Sequence, residues 1–172
     1  MKQSPAQLTG EREMSTERRD HWKEKLSESR EALFALLNGL SPEQWQTAVF
    51  AEGDTWMVAT VLAHLVESER GMSIHVHKIR KGEATIPDDF DLERWNAGLT
   101  RRTGDVAPEE LMANAEATRA KTLEVMESLE DREWTLTGRH ASRGEITIDQ
   151  YYATIHAHEV GHLSDIRAAV SV

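Results

Sequence analysis

The most specific chemical pattern in this 172-residue sequence is a pair of histidines four residues apart near its end. Tyr151, Ile155, His158, His162 and Ile166 follow one another at steps of four, three, four and four residues, the spacing of one inward-facing helical stripe. On such a helix His158 and His162 lie about one turn apart, ~6 Å along the axis. A buried imidazole needs a polar partner, so a shared metal ion would satisfy both rings.

His64 is the candidate third ligand, because it lies in the apolar segment 61–65 of an earlier predicted helix. A single histidine on an apolar face is more often a hydrogen-bonded core residue than a ligand. Together with His158 and His162 it would form a three-imidazole site with one open position. His75 follows eleven residues later, ~16 Å along the helix, and cannot join the same ion. Spacing alone leaves a metal site and a metal-free buried cluster as alternatives.

Three neutral imidazoles would leave the charge of a divalent ion intact, so a bound water or thiol would lose its proton near neutral pH. Zinc, nickel and iron suit such a site about equally. Since the ligands must be neutral, metal occupancy is expected to fall as the pH drops through the imidazole range near ~6.5. Glu67, one turn after His64, and Glu159 are the candidates for proton transfer. The alternative for both is a solvated carboxylate on a helix face, which we favour more for Glu159.

Residues 158–162 also spell H-E-x-x-H, the signature of zinc proteases. In the longer form of that signature a Gly and a third His follow, but this chain has Asp165 and Ala168 in those positions. No strand-forming segment is available for the substrate-binding sheet of such proteases. We therefore interpret the match as a coincidence.

Composition limits the classes of partner. With 30 Asp+Glu against 20 Lys+Arg, the net charge is -10, which repels phosphate backbones and anionic lipids, so neither nucleic acid nor a membrane is expected as a partner. The N-terminus lacks the apolar core of a signal peptide, and no apolar run approaches the ~18 residues that span a bilayer. The absence of cysteine excludes disulfides and a thiol nucleophile from the chain and favours a cytoplasmic location. Any thiol chemistry would need a small-molecule thiol.

Apolar periodicity predicts four long helices. Thr55 is expected to cap the second, Pro108 to open the third, and a Thr147–Gln150 capping box to start the last. A similar box at Ser41–Gln44 predicts a short helical turn, and the crossover at 82–105 is expected to contain a short helix near 92–99. Extended structure is suggested only at 134–136, which is too short for a sheet. The long helices are expected at about 16–37, 56–81, from 108, and after the 147–150 box to about 170.

Two segments resemble the DinB/YfiT-like family. Residues 55–65, TWMVATVLAHL, resemble the start of that family's second helix, and residues 158–166, HEVGHLSDI, resemble its closing H-x-x-x-H-x-x-x-I helix. Residues 92–96, LERWN, and the helix that opens at Pro108 fit the middle of the family pattern. The resemblance extends over about residues 16–170.

This resemblance implies an all-α four-helix bundle, of up-down-down-up type with a long crossover between helices two and three. Residues 16–172 would form this single domain, and residues 1–15 a disordered or loosely ordered segment. In the family, three histidines hold a divalent metal, and the matching positions here are His64, His158 and His162. Some members are thiol-dependent transferases or isomerases and others are hydrolase-like, while the family name implies no DNA binding.

Three functions therefore remain open at this point. The first is a metal-dependent enzyme, a thiol-S-transferase or a hydrolase, acting on a small molecule such as a low-molecular-weight thiol. The second is a non-catalytic metal- or ligand-binding stress protein, and the third is a structural dimeric bundle. The family favours a homodimer, and tryptophans near helix ends or in connections are candidates for its interface. These are Trp22, Trp45, Trp95 and Trp134.

Overall fold

The computed structural model describes residues 5–50, 55–103 and 106–171, and describes side chains within 16–50, 55–99 and 106–171. The described elements are six α-helices, one short 3-10 helix and two small β-hairpins. In chain order they are α1 (Pro5–Leu37), α2 (Pro42–Trp45), β1 (Ala48–Phe50), β2 (Trp56–Met57), α3 (Val58–Arg80), α4 (Leu92–Thr103), α5 (Pro108–Glu127), the 3-10 helix (Asp131–Thr135), β3 (Thr137–His140), β4 (Gly144–Thr147) and α6 (Ile148–Val170).

The long helices α1, α3, α5 and α6 form a four-helix bundle around two apolar clusters. One cluster joins the C-terminal parts of α1 and α6 to the N-terminal parts of α3 and α5, through residues such as Leu37, Val61, Leu111 and Ile166. The other joins the opposite ends of the same helices and includes Leu26, Val76, Met126, Tyr151 and Trp134. Helices α3 and α5 therefore run in one direction and α1 and α6 in the other. No helix in the described ranges is long and apolar enough to span a bilayer.

Several boundaries follow the predicted signals. Ser41 caps α2 and Thr147 caps α6, each in a complete capping box with the glutamine three residues later. Pro108 opens α5 as predicted. Helix α4 lies in the crossover but continues to Thr103, beyond the expected end near residue 99.

Two helix starts differ from the prediction. Helix α1 begins at Pro5 rather than near residue 16, because the intervening residues, which lack apolar periodicity, include good helix formers such as Gln, Glu, Arg and Met. Residues 1–4 lie outside the described part of the chain, and loose order of residues 1–15 in solution stays a prediction. Helix α3 begins at Val58 with Met57 as its N-cap, so the expected cap at Thr55 is wrong. Trp56 and Met57 instead pair with β1 in an antiparallel hairpin.

The β3–β4 hairpin was missed in the sequence. Thr137 pairs with Thr147 and His140 with Gly144, and Gly144 adopts a φ of 71°, in the left-handed region that favours glycine. Gly138 lets the hairpin approach α3 closely, because an added Cβ would lie 2.5 Å from Cγ1 of Ile79. Only four residues per strand carry this structure, too few to show a clear alternating pattern.

The four tryptophans do not form an exposed surface. Trp134 is 0% exposed and Trp45 is 6% exposed, and both belong to the apolar clusters of the bundle. The interface interpretation is therefore wrong for these two residues. Trp22 is partly buried and donates its indole N–H to Asp149. Trp95 is also partly buried and lies near His64. A homodimer stays a prediction.

Candidate metal centre

Helices α3 and α6 bring His64, His158 and His162 together inside the bundle. Nε2 of His158 lies 3.0 Å from Nε2 of His64 and 3.1 Å from Nε2 of His162. His64 is 8% exposed, and the other two rings are partly buried. In the described part of the chain, this is the group of three His, Asp or Glu side chains whose potential ligand atoms all lie within 4.8 Å of one another. The three histidines identified from their spacing in the sequence therefore lie at one site.

The arrangement of nitrogen atoms fits a tetrahedral metal ion. Ligand nitrogens at 2.0–2.1 Å from zinc are separated by about 3.3 Å along a tetrahedral edge, close to both observed Nε2 separations. Nδ1 of His64 is buried and has no hydrogen-bond partner among the described residues, and Nδ1 of His162 is buried without a well-aligned one. Asp165 Oδ2 lies 3.2 Å from that His162 nitrogen. A carboxylate in this position orients a metal-binding histidine through its second nitrogen.

Burial keeps these rings in the neutral form that metal binding requires. Desolvation, followed by repulsion from His158 and His162, lowers the pKa of His64 to about 3. Desolvation and the neighbouring His162 lower the pKa of His158 to about 4. The pKa of His162 is also lowered by burial, against the opposing effect of Asp165. At neutral pH all three nitrogens are therefore available as ligands.

Burial replaces the expectation drawn from the sequence, that metal is released near pH 6.5, the ordinary imidazole pKa: metal should be retained well below that pH. Protons compete with the metal only as the pH approaches the range of about 3 to 4 in which His64 and His158 titrate. The unfolded chain binds more protons than the folded chain below the ordinary imidazole pKa, so acid also lowers the free energy of unfolding. The pH dependence of metal retention is measured as metal content after dialysis at a series of pH values. Circular dichroism of the same samples detects unfolding. Release with a midpoint at or above pH 6.5 would contradict the burial argument.

Aromatic rings surround the histidine cluster. Trp56 lies 4.9 Å from His64 between ring centroids, Phe50 lies 5.8 Å from His162, and Trp95 lies 6.0 Å from His64. Phe50 and Trp56 come from the β1–β2 hairpin, whereas Trp95 comes from α4 in the crossover. These apolar walls reduce the access of bulk water to the imidazoles.

A cavity of about 420 Å³ extends from His64 and His158 along α3 and α6 to the turn of the β3–β4 hairpin. Its volume lies within the usual range for small-molecule sites. Glu67 lines this cavity and pairs with Arg70. His75 and Asn96 also line it, and each has a buried polar atom without a hydrogen-bond partner among the described residues.

Sequence reasoning missed the hairpin end of this cavity. His75 is too distant along α3 to share the metal, and His140 has no patterned neighbours in the sequence. Both nevertheless line the same cavity as His64 and His158, together with Arg143. The two glycines that permit the hairpin, Gly138 and Gly144, were the signal available.

Glu159 lies in a different environment from Glu67. It is 2% exposed, so the interpretation as a solvated carboxylate is wrong. Its Oε1 accepts a hydrogen bond from Arg30, and its Oε2 accepts from Ser29 and Arg119. These contacts occupy both oxygens and disfavour a role at the metal. The glutamate of the H-E-x-x-H match thus belongs to a buried cluster of ion pairs.

This cluster is a closed ring of four charges, one from each long helix. Arg30 of α1 and Arg119 of α5 each pair with both Glu69 of α3 and Glu159 of α6. Burial opposes ionisation of Glu159, but Arg119, Arg30 and Ser29 lower its pKa below the ordinary value. Burial likewise opposes the charge of Arg119, yet Glu69 and Glu159 raise its pKa. We call these four residues the buried charge ring.

Solved structures similar to this chain share its fold. YfiT from Bacillus subtilis, described as a probable metal-dependent hydrolase with an unusual four-helix bundle topology, is 19% identical with a TM-score of 0.70, covering 87% of this chain and 86% of that one. The mycothiol-dependent maleylpyruvate isomerase is 14% identical with a TM-score of 0.70. The match covers 88% of this chain but 60% of the isomerase. At these identities the likeness shows the fold alone.

A third similar structure is the colibactin self-resistance protein ClbS, solved in complex with dsDNA. It is 17% identical with a TM-score of 0.64, covering 87% of this chain and 95% of that one. No curated protein matches the sequence. The sequence profile of the DinB superfamily matches residues 25–166. With more than half of its length matched by that profile, the chain belongs to the DinB superfamily.

Proposed function

We propose that this protein is a metal-dependent enzyme that acts on a small molecule, as a thiol-S-transferase or a hydrolase. The observation that carries the proposal is the convergence of three neutral imidazoles, two of which, His64 and His158, line a cavity of about 420 Å³. The names of two structural neighbours support it, one a probable metal-dependent hydrolase and the other a mycothiol-dependent isomerase.

In this proposal His64, His158 and His162 hold one divalent ion of zinc, nickel or iron. A divalent ion bound there would act as a Lewis acid that lowers the pKa of a water or a thiol. Glu67 accepts the proton at its carboxylate, since it lines the cavity one turn after His64. Asp165 orients His162, and Trp56 and Trp95 limit access of water. The chain contains no cysteine, so the thiol must come from a small molecule.

Two other functions make different predictions. A non-catalytic metal- or ligand-binding stress protein would bind the ion but show no turnover. A structural dimeric bundle would bind no stoichiometric metal at all. A cytoplasmic location, a homodimeric assembly and the lack of a nucleic-acid or membrane partner complete the proposal, with the net charge of -10 as the argument against nucleic acid.

Turnover by the metal-loaded protein is the test. We expect activity in a screen that pairs low-molecular-weight thiols with epoxide, maleyl and halide electrophiles, run beside hydrolysable esters and amides. Glu67→Gln should lower kcat by about 10²- to 10⁴-fold, as expected for loss of a proton acceptor, without loss of metal. Glu116→Gln, at an exposed position on α5, is the matched control. Metal binding without turnover on any pair would favour the non-catalytic alternative.

A further inference from the structure

The side of the cavity formed by the β3–β4 hairpin carries a positive charge, although the whole protein is acidic. Arg143, an exposed residue in the turn of the β3–β4 hairpin, lines the cavity and forms no ion pair with any residue of the described ranges. The one acidic residue among the described lining residues is Glu67, which pairs with Arg70. The whole chain nevertheless carries a net charge of -10. Arg143 therefore gives this side of the cavity a positive charge that attracts an anion.

Two neutral imidazoles accompany Arg143. Burial, followed by Lys78 and His140, lowers the pKa of His75 to about 4, and its buried Nδ1 has no described partner. Burial and Arg143 lower the pKa of His140. The backbone N–H of Ser142 donates to Nδ1 of His140, so the neutral ring carries its proton on Nε2 and has an N–H to donate. Arg143 is thus the permanent charge at this end, with imidazole hydrogen-bonding groups beside it.

Packing holds the hairpin in position. Gly138 approaches the side chain of Ile79 on α3, which leaves no space for a larger residue. The carbonyl oxygen of Arg139 accepts hydrogen bonds from the hydroxyls of both Thr85 and Tyr151, at 2.7 and 2.8 Å. The turn that carries Arg143 is therefore attached to α3, α6 and the crossover before any ligand binds.

Much of the cavity wall is apolar. Met72, Ile86, Phe90 and Trp95 line it, and the Trp95 ring lies 6.0 Å from that of His64. His64 and His75 lie at its two ends and are eleven residues apart on α3, ~16 Å along the helix axis. A ligand that occupies the whole cavity therefore needs an apolar body with a polar group at each end.

We propose that the substrate carries a carboxylate on an apolar body, and that Arg143 binds this carboxylate while the reacting group lies at the histidine triad. The planar guanidinium matches a carboxylate with two parallel hydrogen bonds, which favours a carboxylate over a spherical anion. The assignment of the reacting end rests on the proposed function, whereas the assignment of the carboxylate end rests on the hairpin and its charge.

The test compares two probes that differ only in charge, 1-naphthaleneacetate and the neutral 1-naphthaleneacetamide. Their dissociation constants are measured by calorimetry on protein treated with a chelator, so that a carboxylate cannot bind to metal. We expect the wild type to bind the acetate about tenfold more tightly than the amide, the effect of one charge-assisted hydrogen-bonded pair. Arg143→Ala should bring the two affinities to within about twofold, with the affinity for the amide little changed. Arg132→Ala, at an arginine whose side chain is 83% exposed and which does not line the cavity, should behave as the wild type.

Equal affinity of the wild type for the two probes would overturn the inference. A preference for the acetate that survives Arg143→Ala would also overturn it, because the anion would then bind elsewhere. Repeating the titration with His162→Ala separates this inference from the proposed function. A preference retained in this variant, which is expected to bind no metal, would show that the carboxylate site does not depend on the ion. A wild type that shows the preference but binds no metal would support the carboxylate site and reject the metal-dependent function. Turnover of neutral substrates without any preference would do the reverse.

Discussion

Substitution of His162 by alanine is expected to reduce bound metal from about one ion per chain to nearly none, because two imidazoles remain where a closed or open zinc-type site needs at least three protein ligands. The bundle should stay folded, since His162 is only partly buried and contributes no apolar packing comparable to that of Leu163 or Ile166 beside it. Metal is measured by elemental analysis after gel filtration, and helical content by circular dichroism. Among single substitutions, we expect His162→Ala to have the largest effect on function, because it removes the bound metal.

His156→Ala is the matched control for this substitution. His156 lies on the same helix and is also partly buried, but it does not belong to the histidine cluster. It should retain metal in full. If His162→Ala keeps about one tightly bound ion per chain, the site assignment is wrong. If wild type and both variants lack metal after growth and reloading with zinc, nickel or iron, the structural-bundle alternative gains support.

Glu159→Gln is expected to lower the free energy of unfolding by about 3 kcal/mol, the range found when one member of a buried ion pair is removed. The substitution preserves side-chain volume but leaves two buried arginines with one carboxylate, Glu69. Urea denaturation of the metal-free protein measures the loss. Since neither oxygen of Glu159 faces the histidines in its present contacts, metal content should be unchanged under native conditions.

Two further variants test whether the loss arises from the buried charge ring. Glu69→Gln should be about as destabilising, because Glu69 also accepts hydrogen bonds from both arginines. Glu124→Gln removes an exposed ion pair with Lys121 and should change stability by no more than about 0.5 kcal/mol. Unchanged stability of Glu159→Gln, together with loss of activity, would contradict the interpretation of the H-E-x-x-H match as a coincidence.

Local signals were enough to predict the bundle and to group the triad. Pro108 and the Thr147–Gln150 box mark helix starts through backbone hydrogen bonding within a few residues, and the structure has them where the sequence predicted. His158 and His162 share a helix face by helical geometry alone. Grouping His64 with them required only that α3 and α6 pack together, which the bundle provides.

The remaining features depend on contacts between distant parts of the chain. The local sequence predicts a surface position for Glu159, because the partners that stabilise its buried charge are distant in sequence. Arg30 and Arg119 lie 129 and 40 residues away. The hairpin that brings Arg143 to the cavity is held by Ile79 and Thr85 rather than by its own strand propensity. Apolar periodicity describes one helix at a time. It therefore could not predict the ion pairs of Glu159 or the position of the β3–β4 hairpin.

The buried charge ring also bears on the order in which the bundle assembles. Each long helix supplies one member, and each member bonds to both members of opposite charge. A partly folded state that lacks any one of these helices would bury a charge without its full set of partners, at a cost of several kcal/mol. Intermediates with three docked helices are therefore disfavoured relative to the complete bundle. The ring makes folding cooperative across all four helices, although it contributes no apolar surface.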